Sequence, residues 1–304
     1  MFPIIPAASA ADSRYTEGIF GFGGGYGPAY GSDITNLVSN TGVVASDVTG
    51  VGQARQQLAA CEIGDDTGFF GFGSLGSPPT HYSITNFVSN TGVVASDQAA
   101  TTGSARNNLA ACSYGEDKGI FGFGEIWPYG KNDITNLVSN TGVVATDVTG
   151  VGQNRGELVA CEYGGDKGMF AGGSTPLTTD INFVSNTGVV QASTSSIPTG
   201  LRSQAGCRYG TDTGIFGFGR NGSSTGVTNL ISNTGVVAAD TAAVGTARDG
   251  PAACEYGGDK GIFGFGNDGS VCDITNLISD TGVVASDVTG VGTARDAIAA
   301  CSFN

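Results

Sequence analysis

The sequence predicts an all-β protein, a six-bladed β-propeller whose last blade is closed by strands from the amino and carboxyl ends. Three observations predict this fold. One unit of 46 to 50 residues occurs six times, and the chain begins and ends in the middle of a unit. Glycine supplies 52 of the 304 residues, while only 13% of the residues are charged. Repeats of about 40 to 50 residues with four short strands each are typical of propeller blades.

Three sequence blocks define the repeating unit. One block reads Gly-Ile-Phe-Gly-Phe-Gly, and a second reads Thr-Asn-Leu-Val-Ser-Asn-Thr-Gly-Val-Val. The third is an arginine followed by small residues and a cysteine. The copies of the first block begin at Gly18, Gly68, Gly119, Gly168, Gly214 and Gly261. Self-similarity at a nearly fixed period indicates a repeat architecture.

The two ends of the chain complete one unit. The stretch after Asp280 and the stretch from Glu17 to Asn40 contribute 24 residues each, which together match the length of one repeat. An open solenoid instead ends in altered capping repeats. The sequence therefore predicts an amino-terminal arm over residues 1–16 and a closed ring over 17–304. In the closing blade, residues 294–301 would form the innermost strand and residues 17–48 the other three.

Four strands can be placed within each unit. In the second unit, small residues over 56–61 suit the crowded innermost strand, and the aromatic residues of 68–72 predict a second strand between blades. Residues 84–88 predict the third strand and 93–96 the outermost one. Gly/Asp and Asn-Thr-Gly sequences between these strands are typical of hairpin turns.

The order of these blocks resembles the kelch motif, in which an arginine precedes a small-residue strand, a glycine-bearing hairpin and an aromatic strand. More closely, the blocks resemble repeats in virion and tail-associated proteins of aquatic bacteriophages. The resemblance covers residues 17–304. It implies a kelch-like propeller in the virion, made in the host cytoplasm, with an extracellular protein as the alternative.

Charge argues against two classes of partner. The formal net charge is −14, and the 13 basic residues are spread along the chain without forming a basic cluster. Binding to a phosphate backbone or to an anionic membrane surface needs such a cluster. No apolar run approaches the roughly 20 residues of a membrane-spanning helix. We therefore expect neither a nucleic acid nor a membrane as partner.

The inventory of reactive side chains argues against catalysis. His81 is the only histidine, so a copper site or a base oriented by a second imidazole cannot be built. Aspartates recur at two positions of the repeat, which favours bonding within turns over a catalytic pair. No stretch matches the spacing of a calcium-binding loop. We expect no enzymatic activity, no metal and no cofactor.

Two interpretations of the repeated arginines remain open. Six guanidinium groups at one end of a channel could bind an anion, or each arginine could bond to crossover carbonyls and pair with an aspartate, as Arg55 could with Asp47. The fourth unit lacks that aspartate, which would leave Arg202 without a partner. The structural interpretation is favoured. The arginines are Arg55, Arg106, Arg155, Arg202, Arg248 and Arg295.

The cysteines predict buried thiols rather than disulfides. Cysteines at one equivalent position per blade would lie about 10 Å apart between packed sheets, too far for a disulfide bond. They should act as small apolar side chains. Cys272 is the exception, because it is expected in an exposed loop. The equivalent cysteines are Cys61, Cys112, Cys161, Cys207, Cys254 and Cys301.

The segments between the second and third strands differ most between copies. All of them should lie on one face, together with the connections between blades. They contain aromatic residues that either bind a partner or pack over blade edges. The candidate surface contacts are Trp127, Tyr129, Tyr82, His81, Tyr26 and Tyr30.

These features predict a non-catalytic structural or appendage protein of a virion, mediating assembly or surface contact. The arm would bind other virion proteins. The alternative is a lectin-like propeller that binds a carbohydrate or a receptor, with a host-surface glycan or receptor as the partner of the aromatic loops.

Overall fold

The computed structural model describes residues 16–25, 31–99, 101–174, 176–242 and 244–303. Over these ranges the chain forms 25 β-strands and no helix. The predicted all-β class is confirmed. Accordingly, this part of the chain contains no helix long and apolar enough to cross a membrane.

Six antiparallel sheets contain most of the strands. Sheet 1 holds β25 (Ala299–Phe303), β1 (Glu17–Gly21) and β2 (Thr35–Val38). Sheet 2 holds β3 (Ala59–Ile63), β4 (Thr67–Gly71) and β7 (Thr85–Val88). Sheet 3 holds β8 (Ala110–Tyr114), β9 (Lys118–Gly122) and β12 (Thr135–Val138).

The other three sheets repeat this order. Sheet 4 holds β13 (Val159–Tyr163), β14 (Lys167–Ala171), β15 (Asp180–Val184) and β16 (Ser195–Ser196). Sheet 5 holds β17 (Ala205–Tyr209), β18 (Thr213–Gly217) and β21 (Thr228–Ile231). Sheet 6 holds β22 (Ala252–Tyr256), β23 (Lys260–Asn267) and β24 (Val271–Ile278).

Three short hairpins complete the strands. β5 (Ser74–Leu75) pairs with β6 (Thr80–His81), and β10 (Glu125–Ile126) pairs with β11 (Gly130–Lys131). β19 (Arg220–Asn221) pairs with β20 (Ser223–Ser224). The repeated sequence pattern does not predict these hairpins. They fall in the variable segments, where no repeated pattern marks a strand.

The first strands of the six sheets contact one another in cyclic order, from β25 through β3, β8, β13, β17 and β22 back to β25. Just before each of these strands, one backbone N–H bonds to the carbonyl at the equivalent position of the preceding sheet. The residues are Gln57, Asn108, Glu157, Ser203, Gly250 and Ala297. Gln57 in turn donates to Ala297 at 2.9 Å. The six hydrogen bonds thus return to their starting residue.

The ends of the chain meet in one sheet. β25 pairs with β1, with Ile19 opposite Cys301, and β1 pairs with β2, with Ile19 opposite Leu37. Strand hydrogen bonds therefore fasten the last described residues to the first described ones.

The apolar cores lie between neighbouring sheets, and glycines make the close packing possible. A Cβ atom on Gly119 would lie 2.5 Å from the Sγ atom of Cys61 in the preceding sheet. A Cβ atom on Gly71 would lie 2.6 Å from the Phe121 ring of the following sheet. No side chain fits at either position without displacing a neighbour. This packing explains why the first glycine of the Gly-Ile-Phe-Gly block occurs in all six copies and the second in five, with Ala171 in its place in sheet 4.

The structure supports three of the four predicted strands and corrects the fourth. Residues 56–61, 68–72 and 84–88 of the second unit overlap β3, β4 and β7. Outside sheet 4, where it includes the two-residue strand β16, the outermost segment makes isolated bridges, as between Val38 and Val44 and between Thr35 and Val48, rather than a regular strand. Val44 and Val48 are four residues apart, whereas their bridge partners Val38 and Thr35 are three residues apart. The extra residue bulges and interrupts the ladder.

Candidate functional site

The variable segments lie beside the starts of the innermost strands. Backbone bridges join Gln56 to Ser74 in sheet 2 and Asn107 to Glu125 in sheet 3. The hairpins β5–β6 and β10–β11 therefore stand on the face where the inner strands begin, here called the loop face.

Trp127 and Tyr129 project from the loop face. The side chain of Trp127 is 57% exposed and that of Tyr129 is 87% exposed. The backbone N–H of Trp127 donates to Nδ1 of His81 at 3.2 Å, which joins the hairpins of sheets 2 and 3. Partial burial lowers the pKa of His81, against the opposing effect of the Glu125 carboxylate. The exposed rings are thus presented on a backbone that a neighbouring hairpin supports.

The remaining candidate contacts have different outcomes. Tyr82 follows His81 directly and is half-buried. Tyr26 and Tyr30 lie outside the residues that the structure describes. The structure thus brings Trp127 and His81 into contact and places Tyr129 two residues beyond Trp127.

A cavity of about 210 Å³ opens at the centre of the loop face. Its rim is polar, with Gln57, Asn108, Glu157, Asp249 and Asp296, and its floor carries apolar residues of the inner strands. Sequence reasoning missed this site. The available signal was that residues just before each small-residue strand differ between copies, as Gln57, Asn108 and Glu157 do.

The carboxylates of the rim are held by basic and polar neighbours. Glu157 accepts hydrogen bonds from Ser174 at 2.6 Å and from Arg202 at 2.9 Å. Burial alone would raise the pKa of Glu157, but these bonds and the charges of Arg202 and Lys131 outweigh it, so the pKa is lowered. Glu157 therefore anchors neighbouring segments as a carboxylate.

The pKa of Asp296 is shifted in the opposite direction to that of Glu157. Burial raises its pKa, and the nearby Asp249 carboxylate adds to the increase, while a hydrogen bond from Asn267 opposes it. Asp249 itself contacts the Arg220 guanidinium at 3.4 Å.

A second polar ring lines the other end of the inner strands. Arg208 contacts Glu255 at 3.1 Å and Glu162 at 3.5 Å. Burial opposes the charge of Arg208, but the two carboxylates outweigh it and raise the pKa of this arginine further. The carboxylates are thus engaged in a buried ion pair network, which favours a structural role. The six equivalent residues are Glu62, Ser113, Glu162, Arg208, Glu255 and Ser302.

Repeated arginines lie between sheets rather than around a channel. Arg55 is fully buried, and its Nε donates to the carbonyl of Phe72 at 2.7 Å. Its Nη2 donates to Asn86 at 2.6 Å. Asp97, which follows the outermost segment of the same sheet, is 3.8 Å away. The suggested pairing of Arg55 with Asp47 is wrong, because the aspartate comes from later in its own sheet.

Burial lowers the pKa of the arginines that lie between sheets. It lowers the pKa of Arg55 to about 10, against the opposing charge of Asp97. Because the guanidinium is occupied by a carbonyl and an amide, the geometry supports the structural interpretation over an anion-binding ring.

Arg202 is not equivalent to Arg55. The N–H of Gly73 donates to the carbonyl of Arg106, and the corresponding bond in sheet 4 runs from Gly173 to Leu201. Leu201 therefore takes the buried position, and Arg202 pairs with Glu157 instead. The expectation that Arg202 would lack a partner is wrong.

The missing aspartate of the fourth unit instead affects Arg155. This buried side chain lies in the same sheet as Gln191-Ala192-Ser193, and its Nε and Nη1 have no hydrogen-bond partner in the described part of the chain. The absence of the aspartate from the fourth unit was thus visible in the sequence, but it affects Arg155 rather than Arg202.

The structure supports the predicted burial of the six equivalent cysteines and corrects Cys272. All seven thiols are free and buried. Burial raises the pKa of Cys61 well above its ordinary value. Cys272 lies within β24, opposite Gly266 of β23. Because the connection in sheet 6 is short, its strands continue through the segment that was expected to be a loop.

Repeated aspartates bond locally. Asp117 accepts hydrogen bonds from Lys118 at 2.5 Å and from Asn140 at 2.7 Å. Asp97 accepts from the N–H of Gln53 at 2.8 Å. Over the described ranges, no group of three histidine, cysteine, aspartate or glutamate side chains is placed to hold a metal ion.

Comparison with solved structures identifies the type of fold. The structure of YjhT, a kelch-type β-propeller, matches with a TM-score of 0.63 over 93% of this chain and 100% of that chain. The fold is of the β-propeller type. The sequences are 11% identical, so the similarity concerns the fold alone. No protein-family model and no curated protein matches the chain.

Proposed function

We propose that the six sheets are the blades of a closed kelch-like propeller and that this propeller is a non-catalytic structural or appendage component of a virion. The cycle of hydrogen bonds through Gln57 and Ala297 supports closure, as does the sheet shared by both chain ends. Strand pairing between the ends is the means by which propellers fasten their ring.

An assembly role rests chiefly on exposed valines. The first valine of each Thr-Gly-Val-Val sequence is between 59% and 65% exposed, although it is apolar in every copy. Nearby exposed positions have diverged, as Val48 and its counterpart Gln98 show. An exposed valine of this set indicates a contact with another protein where it adjoins other apolar residues, as Val43 does in one groove with Val288 and Val291. The valines are Val43, Val93, Val143, Val189, Val236 and Val283.

The non-catalytic proposal is supported by the use of the polar groups. The buried arginines bond to carbonyls and amides, and Glu157 is paired with Arg202. His81 accepts a backbone hydrogen bond. These groups are occupied in maintaining the fold.

The amino-terminal arm is proposed as the attachment to other virion proteins, which makes the virion the proposed location. Residues 1–15 of this arm lie outside the described residues. The decisive experiment is to express the full chain and a variant lacking residues 1–14 in infected cells and to measure each in purified particles. Loss of incorporation by a folded variant would support arm-mediated attachment. Absence of the full chain from particles would contradict the virion role.

The exposed rings of Trp127 and Tyr129 favour a second candidate, binding of a host-surface glycan or receptor on the loop face. Glycan-array binding by the purified chain, compared with Trp127→Ala, tests it. Equal binding by both proteins would exclude Trp127 as a contact. Hydrolysis of an arrayed glycan would contradict the non-catalytic proposal.

A further inference from the structure

An apolar groove lies at the outer edge between sheets 6 and 1. It encloses about 230 Å³ and is lined by Val43, Val44, Leu277, Val288 and Val291 together with threonines and glycines. Val43, Val288 and Val291 are 64%, 49% and 51% exposed. Single exposed apolar residues are ordinary, whereas a contiguous group that lines a groove indicates a docking surface. This feature is called the valine groove below.

The outer edge between sheets 2 and 3 is less apolar than the valine groove. There Val143 is 65% exposed like Val43, but Gln98 and Thr102 stand at the positions of Val288 and Val291. The hydroxyl of Thr102 donates to the carbonyl of Val144 at 3.2 Å. The apolar lining is therefore a property of particular seams.

The amino-terminal arm begins next to the valine groove. The carbonyl of Thr16 accepts a hydrogen bond from Gly257 at 2.9 Å. A Cβ atom on Gly257 would lie 3.0 Å from the carbonyl oxygen of Asn40. Asn40 opens the turn whose Thr41, Gly42 and Val43 line the groove. The chain thus enters the first sheet beside one end of the groove.

The composition of the first six residues complements this surface. They read Met-Phe-Pro-Ile-Ile-Pro and carry no charged side chain. Two prolines restrict the backbone toward extended conformations, which lowers the entropy lost on binding in a groove. The nine residues from Ala7 to Tyr15 can span roughly 30 Å. A tethered segment at such short range has an effective concentration of about millimolar.

We propose that residues 1–6 of the chain bind in the valine groove of the same molecule. Residues 1–6 lie outside the described part of the chain, and the apolar groove, the position of Thr16 and the sequence of the arm support this binding. The proposal concerns the isolated protein and does not depend on the proposed virion role.

Hydrogen–deuterium exchange of the full-length chain tests the proposal. Amides of the first residues should exchange at least about tenfold more slowly than in a free peptide of the same sequence. Val291→Asp should abolish this protection. Val151→Asp is the matched control, because Val151 occupies the equivalent position in another seam and is 45% exposed against 51%. Unchanged melting temperatures would show that both variants fold.

Protection that survives Val291→Asp, or no protection in the unmodified chain, would overturn the proposal. A second measurement separates the possible occupants. A photoreactive benzophenone amino acid in place of Ile4 should crosslink to the peptides that contain Val43 or Val291, within a product of monomer mass. Crosslinks found only in dimers would assign the groove to the arm of a second copy and contradict binding within one molecule.

Discussion

The guanidinium carbon of Arg55 lies 4.2 Å from the centre of the Phe22 ring, across the boundary between sheets 2 and 1. The same contact joins Arg106 to Phe72 and Arg155 to Phe123. Two further pairs are Arg248 with Phe218 and Arg295 with Phe265. Each pair stacks a cation on an aromatic face in a buried boundary, an arrangement worth about 2 kcal/mol when desolvated.

The boundary between sheets 4 and 5 has neither the arginine nor the phenylalanine of this pair. Gly172 stands at the position of the phenylalanine and Leu201 at that of the arginine. A Cβ atom on Gly172 would lie 3.3 Å from the Cδ1 atom of Ile197, which fills part of the space. A buried arginine without its ring loses an attraction that offsets its desolvation, which is a physical reason for replacing the arginine where the ring is absent.

Removing a boundary arginine should therefore destabilise the fold. We expect Arg55→Leu to lower the free energy of unfolding by about 3 kcal/mol, because the carbonyl of Phe72 and the amide of Asn86 lose their donor. Arg202→Leu is the control, since the side chain of Arg202 is 35% exposed and should cost less than about 1 kcal/mol. Denaturant unfolding measures both, and equal losses would contradict the assigned difference.

The close contact between Cys61 and Gly119 limits the size of the side chain that fits at position 119. Gly119→Ala places a methyl group against the Sγ atom of Cys61 and should destabilise by about 1 to 3 kcal/mol. Adding Cys61→Ala should recover part of that loss, because it vacates the space. Gly25→Ala is the control, with its nearest atom 3.9 Å away. Thermal unfolding measures the stability of each variant. A double variant that is no more stable than Gly119→Ala would show that the strain does not come from the contact with Cys61.

Two aspartates should affect the pH dependence of stability in opposite directions. For Asp296, burial and the Asp249 charge raise the pKa, so the folded state binds the proton more tightly than the unfolded state does. For Asp287, burial alone would raise the pKa, but hydrogen bonds from Thr246 and Asn276 outweigh it and lower the pKa.

It follows that Asp296 destabilises the fold above its folded pKa, whereas Asp287 stabilises it and loses that effect as the pH falls through its own folded pKa. Asp296→Asn should therefore raise the stability at neutral pH, and Asp287→Asn should lower it. Unfolding curves from about pH 3 to 8 measure both slopes. Shifts of the same sign would contradict the assignment.

Pairing of the chain ends predicts unequal effects of truncation. Removing residues 296–304 deletes β25 and the hydrogen bonds of Ala297, so this variant should lose most of its stability. Removing residues 1–12 leaves Thr16 and β1 in place and should change the melting temperature little. Calorimetry compares the two, and equal losses would count against closure of the ring by β25.

Much of the fold could be predicted because the repeat displays it six times. The cut within the unit indicated where the ends meet, and small, aromatic and apolar blocks marked three strands of each sheet. Positions that depart from the repeat were harder to predict. Arg202 looked equivalent to Arg55 because both precede a cysteine, yet Arg202 stands five residues before Cys207, whereas Arg55 stands six residues before Cys61. The bond from Gly173 to Leu201 shows that this one-residue difference places Leu201, and not Arg202, at the buried position.

The loop face was less predictable for a physical reason. Its hairpins and the cavity rim depend on contacts between sheets, as between Trp127 and His81 or Glu157 and Arg202, which are 46 and 45 residues apart. Side chains that meet over such distances leave no local pattern. The aromatic residues could be proposed as contacts, but their support by neighbouring hairpins required the structure.

Gln204 carries the last prediction, because it is the polar member of an otherwise apolar set. Its counterparts in the other sheets are Leu58, Leu109, Leu158, Pro251 and Ile298. The side chain is 7% exposed, and both amide atoms lack a hydrogen-bond partner among the described residues. A buried amide in this condition costs about 1 to 3 kcal/mol.

Gln204→Leu should therefore increase the free energy of unfolding by about 1 to 2 kcal/mol, since it restores the apolar set and removes the unpaired amide. The reverse change, Leu109→Gln, should lower it by about 2 to 4 kcal/mol because it buries a second unpaired amide and loses packing. Urea unfolding of both variants provides the comparison. If Gln204→Leu destabilises the protein, the amide must gain partners in solution, a buried water being the simplest, and the boundary between sheets 4 and 5 is better satisfied than the contacts among the described residues indicate.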